Sequence, residues 1–88
     1  MPVNELWEEA RDILKDELST ASYTSFIEEL LPVALNDRTI VLQAADDFMR
    51  KTLSERYLET VQDALKQVAG NRYFVRFITP AERSFYER

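Results

Sequence analysis

The sequence predicts an α+β domain in which three strands form one sheet with helices packed on it. Three observations carry this reading. Two apolar stripes at helical spacing precede residue 32, and two short β-branched or aliphatic runs flank the turn-forming cluster Asn36-Asp37-Arg38. A long helical seam is then followed by an aromatic, β-branched run over residues 73–78. The predicted order is α-α-β-β-α-β, without internal repeats or low-complexity segments.

The first helix is predicted over Asn4 to Leu18. Asn4 is the expected cap, and Glu5, Glu8 and Glu9 put negative charge at the positive end of the helix dipole. Leu6, Ala10, Ile13, Leu14 and Leu18 form one stripe, with Trp7 at its flank. Ser19 and Thr20 offer a fresh cap to a second helix carrying Tyr23, Phe26, Ile27, Leu30 and Leu31, which Pro32 is expected to end. Val33–Leu35 and Thr39–Ala44 read as a hairpin; in the second run Ile40, Leu42 and Ala44 share one face. Asp46 or Asp47 should cap a single long helix running to Ala69, with Phe48, Met49, Leu53, Tyr57, Val61, Leu65 and Val68 as its seam. Gly70, the only glycine, sits where a left-handed helix terminus belongs. The last strand is predicted over Tyr73–Ile78 and stops before Pro80. Residues 1–79 therefore read as one domain and residues 80–88 as a flexible tail or the start of a linker.

Composition limits the chemistry. Apolar residues make up 45% and charged residues 31% of the 88, which fits a single globular domain rather than a disordered chain. Sixteen acids against 11 bases give a formal charge of −5, a poor basis for tight duplex binding, where affinity comes largely from Lys and Arg displacing counterions. With no His and no Cys, the chain holds no Ser–His triad, no thiolate nucleophile and no ordinary zinc site. One glycine cannot build a phosphate-cradling loop. The adjacent acids Glu8-Glu9, Glu28-Glu29 and Asp46-Asp47 would point about 100° apart on a helix and read as solvated faces or a cap. No catalytic residue, cofactor or metal ligand is predicted. No signal peptide is visible and no apolar run nears the length of about 18 residues needed to span a membrane, so the reading is a soluble cytoplasmic domain.

One pattern is more specific. An early Leu6-Trp7 is followed by Leu18-Ser19-x-x-x-Tyr23-x-x-Phe26-Ile27-x-x-Leu30, then Asp37-Arg38-Thr39-Ile40-Val41-Leu42, Asp46-Asp47-Phe48 and Arg56-Tyr57-Leu58. Over residues 6–78 this resembles the N-terminal domain family of the bacterial replication initiator DnaA, a family with a KH-like fold and the same α-α-β-β-α-β order. The chain departs from the family at three places: Phe26 stands where tryptophan is common, Ala45-Asp46 where Pro-Asn is usual, and Ser22 where some members carry an acid.

The resemblance implies a non-catalytic recruiting module. Its partners would be other copies of the initiator, the replicative helicase and regulatory proteins of initiation, with at most weak binding of single-stranded DNA and no membrane. It implies self-association through Leu6 and Trp7, and contacts to helicase or regulators through Ser22 and Phe48. From the residues alone, Trp7 reads equally as a lid over the domain's own core. Phe48 also suits a core or staple position, and Ser22 a cap or a solvated site. Two alternatives from other classes are a KH-like binder of single-stranded nucleic acid and a stand-alone regulator that mimics the initiator's front domain. The first lacks the GXXG loop of KH modules.

Overall fold

The computed structural model describes residues 2–86. The first helix, α1, spans Val3–Glu17 and buries Leu6, Trp7, Ala10 and Leu14 along one stripe. It starts earlier than predicted, and Asn4 is not its cap. Pro2 holds the N-cap position in extended geometry without a side-chain bond, and its carbonyl accepts from the Leu6 N–H at 3.1 Å. Extending the helix by a residue brings Val3 against the core, which outweighs the cap that Asn4 could have offered. Leu18 then turns extended and Ser19 caps the next helix as predicted, its Oγ accepting from the Ser22 N–H at 3.1 Å.

That second helix, α2, covers residues 20–27 and changes pitch midway. Thr20–Ser22 is α-helical, whereas Tyr23–Ile27 is a π-turn, marked by the Glu28 N–H donating to the Tyr23 carbonyl at 2.9 Å. The wider turn sends Tyr23 and Ile27 into the core and leaves Phe26 half-buried, stacked on Tyr57 with centroids 4.9 Å apart. Helical structure stops before Leu30, not at Pro32. Leu30 is buried in the connecting turn, and strand β1 spans Leu31–Asn36 with Pro32 inside it. A proline survives there because β1 is an edge strand and its register shifts between Pro32 and Ala34, so no ladder donor is needed.

Strand β2, Thr39–Gln43, pairs antiparallel with β1 around a tight turn in which Asp37 takes a positive φ of 54°, a conformation Asp tolerates better than most residues. Strand β3, Phe74–Ile78, lies on the other side of β2 and parallel to it. A parallel neighbour needs a crossover, which the helices between residues 47 and 69 supply. The predicted single helix is two: α3 over Asp47–Arg56 and α4 over Leu58–Ala69, broken at Tyr57 (φ −118°, ψ 0°). Neither glycine nor proline stands at the break. The two halves pack on different partners, α3 on β3 and α4 chiefly on α1, and the Phe26–Tyr57 stack sits at the joint. Gly70 ends α4 in the left-handed conformation (φ 75°) as the sequence indicated.

The core lies between the helices and one face of the sheet, where Ile40, Leu42 and Phe77 meet Leu6, Leu14, Ile27, Leu53 and Leu65. Val41 and Ile78 are equally buried but outside this cluster, on the opposite sheet face by strand alternation. After β3 the chain forms a 3₁₀ helix, Pro80–Phe85. The Glu82 carboxylate accepts from the Thr79 N–H at 3.1 Å, and Arg83 donates to Gln43 Oε1 at 3.1 Å. Gln43 shares the outer face with Val41, so this bond ties the 3₁₀ turn to that face of the sheet.

Candidate interaction surfaces

Of the four residues singled out from sequence, Phe48 is the most exposed. It stands in the first turn of α3 with 74% of its surface open to solvent, so it is neither a core residue nor a buried staple. Its position is fixed from both sides. Asp46 Oδ1 accepts from the Met49 N–H at 2.8 Å, capping the helix, and Asp47 pairs with Arg50 at 2.8 Å. Thr52 Oγ1 donates to the Phe48 carbonyl at 2.9 Å one turn on. An aromatic ring is thereby held in water on a rigid helix entry, the arrangement expected of an interface anchor rather than of packing.

Ser22 is half-buried on α2, and its N–H is taken by Ser19. It shares no hydrogen bond with Phe48. The link between their elements is the Phe26–Tyr57 stack, which ties α2 to the end of α3.

Leu6 and Trp7 sit together in the core. Trp7 retains 1% of its exposure and Leu6 none. The Trp7 indole N–H is buried without a hydrogen-bond partner among the described residues. Its ring therefore offers no surface to a second molecule in this conformation; what α1 shows to solvent is an acidic face of Glu5, Glu8, Glu9, Asp12 and Asp16.

Three further apolar side chains are exposed. Leu31, read in sequence as part of the second helix, and Phe74 are each about half exposed (48% and 51%) at the starts of β1 and β3, and Phe85, inside the segment read as a tail or linker, is 75% exposed at the end of the 3₁₀ helix. Arg72 lies over the Phe74 ring at 5.5 Å from its centroid. The local signal for Leu31 was the proline that follows it, because an edge strand leaves alternate residues outside. The basic residues do not gather into a tract: Arg50 is paired with Asp47, and Lys66 and Arg72 line a groove together with Glu59 and Asp63. Among the described residues no cluster of His, Cys, Asp or Glu is arranged to hold a metal, and no helix is long and apolar enough to cross a membrane.

Comparison with known families agrees with this geometry. The family model described as the DnaA N-terminal domain matches residues 4–67, from the first turn of α1 to the last turn of α4. With that match over most of its length and the α+β architecture around it, the chain belongs to the DnaA N-terminal domain family, the N-terminal module of the replication initiator.

Proposed function

We propose that this domain is a non-catalytic docking module, through which an initiator engages the replicative helicase and regulators of initiation and associates with further copies of itself. The observation that carries the reading is Phe48, a large apolar side chain kept in solvent by a capped and ion-paired helix start. Exposing it costs solvation free energy, and burial of such a ring against a partner would return roughly 1.5–3 kcal/mol. Ser22, half-buried on α2, is the second contact on this reading, and it contributes a hydroxyl where a carboxylate would contribute charge.

Self-association is assigned to α1 with a changed role for its aromatic residue. Leu6 and Trp7 hold α1 against the core, and the contacts between copies are made by the solvent-facing residues of that helix. Amide NMR titration of the domain with its cognate replicative helicase tests the recruiting role. Saturable shifts centred on residues 46–52 and lost in Phe48→Ala are the expected result. A spectrum unmoved at hundreds of micromolar helicase refutes it.

A further inference from the structure

Helix α1 keeps its core contacts on one stripe, Leu6, Trp7, Ala10 and Leu14. A second stripe, Glu8, Arg11, Asp12 and Lys15, follows spacings of three, four and seven on the side turned away from the core. Glu8, Asp12 and Lys15 are exposed and Arg11 is half-buried. At the helical rise this stripe is about 10 Å long, or two turns.

The four charges alternate in sign along the helix: minus, plus, minus, plus. Within one chain, Glu8–Arg11 and Asp12–Lys15 have the spacing of helical ion pairs, yet neither pair closes. None of the four side chains has an ion pair or hydrogen bond among the described residues. Asp16 and Glu28 share a hollow of about 620 Å³ with Arg11 and Lys15, and they too stay unpaired. The stripe therefore presents four open charges in a set order.

An alternating pattern selects its own complement. Run antiparallel, a second copy reads plus, minus, plus, minus. With a two-fold axis passing between Arg11 and Asp12, Glu8 meets Lys15 of the second copy and Arg11 meets its Asp12, and symmetry repeats both contacts. A parallel copy in register would set like against like at every position. A uniformly basic partner would be attracted by Glu8 and Asp12 but repelled by Arg11 and Lys15. An apolar partner finds no apolar side chain on this stripe.

We propose that two copies of this domain associate through antiparallel α1 helices, held by the reciprocal pairs Glu8–Lys15 and Arg11–Asp12. The inference rests on the assignment of self-association to α1 and adds its geometry, a closed two-fold pair instead of an open chain. Exposed ion pairs are individually weak and each copy carries a net charge of −5, so the association is weak and transient.

The test follows amide shifts and translational diffusion of the domain by NMR from micromolar to millimolar concentration. The parent should show slowed diffusion and concentration-dependent shifts centred on residues 8–15. Glu8→Lys and Lys15→Glu should each weaken association by about tenfold or more, since each turns two attractions into two repulsions. A general charge effect would move these variants in opposite directions, because Glu8→Lys lowers the net negative charge and Lys15→Glu raises it. The double variant Glu8→Lys/Lys15→Glu, at the parent's net charge, should regain parental affinity, as should an equimolar mixture of the two single variants. Glu9→Lys, off the stripe, should not weaken association. The substituted positions are exposed, and matching circular dichroism melts separate lost pairing from lost fold. Absence of concentration dependence in the parent removes α1 self-association and this pairing together. Association that withstands both single variants, or that the double variant does not restore, overturns the pairing alone and leaves self-association to other contacts.

Discussion

Replacement of Trp7 by alanine is expected to damage the fold before it touches any interface. Trp7 is 1% exposed and belongs to the central cluster, so truncation deletes most of a buried indole. Large aromatic-to-alanine changes in a core cost about 3–5 kcal/mol. A domain of this size has about 5 kcal/mol to lose, so Trp7→Ala should be partly unfolded at room temperature. The informative companion is Trp7→Phe. It gives up about 1 kcal/mol of apolar burial, but it also removes an indole N–H that has no partner, and an unsatisfied buried donor costs about 1–3 kcal/mol. The two terms nearly cancel, leaving Trp7→Phe within about 1 kcal/mol of the parent. Urea melts followed by far-ultraviolet circular dichroism measure both variants. If Trp7→Ala melts cooperatively within about 1 kcal/mol of the parent, Trp7 is not the core residue described above. If Trp7→Phe is as damaging as Trp7→Ala, the indole N–H has a partner and the cancellation argument fails. Any self-association assay on Trp7→Ala needs this control, because loss of pairing and loss of fold would look alike.

Other substitutions separate local terms. Asp46→Ala should cost about 1 kcal/mol by removing the cap on the Met49 N–H, seen as a lower urea midpoint with unchanged slope. Phe48→Ala should change stability by less than about 0.5 kcal/mol, because the ring is mostly solvated, so its binding phenotype is free of folding effects. Gly70→Ala meets nothing within 4 Å, so its cost is the backbone term alone, about 1–2 kcal/mol for a left-handed alanine; a loss above 3 kcal/mol would refute that account. Ending the chain at Thr79 removes the bond from Arg83 to Gln43 on the outer sheet face and should lower stability by about 1–3 kcal/mol, read as a lower urea midpoint.

Features decided within a few residues were legible from the sequence. The α1 stripe, the Ser19 and Asp46 caps, the Asn36–Arg38 turn and the Gly70 terminus each depend on neighbours within one turn or hairpin, and the structure has all of them. What was missed depends on partners far along the chain. The break at Tyr57 has no local breaker and follows from α3 and α4 packing on different elements. Pro32 signals a helix end locally, yet an edge strand tolerates it equally well, and only the sheet decides which applies. At the candidate site the two aromatic residues divide the same way. Trp7 and Phe48 each read as core or interface in sequence, and the fold buries one and exposes the other because α1 lies across the core while the α3 entry projects beyond it.

The parallel joining of β2 and β3 has a consequence for how the chain is made. Strand β2 reads Thr-Ile-Val-Leu-Gln, is free of charge and is buried along its centre in the finished domain. Its antiparallel neighbour is synthesised first, but the partner for its other edge begins only at Phe74, after both crossover helices. Until that final strand emerges from the ribosome, an apolar, β-prone segment has one bare edge, the hallmark of an aggregation nucleus. A chain ended before Phe74 should therefore aggregate rather than fold, because β3 is what closes the second edge of this central strand.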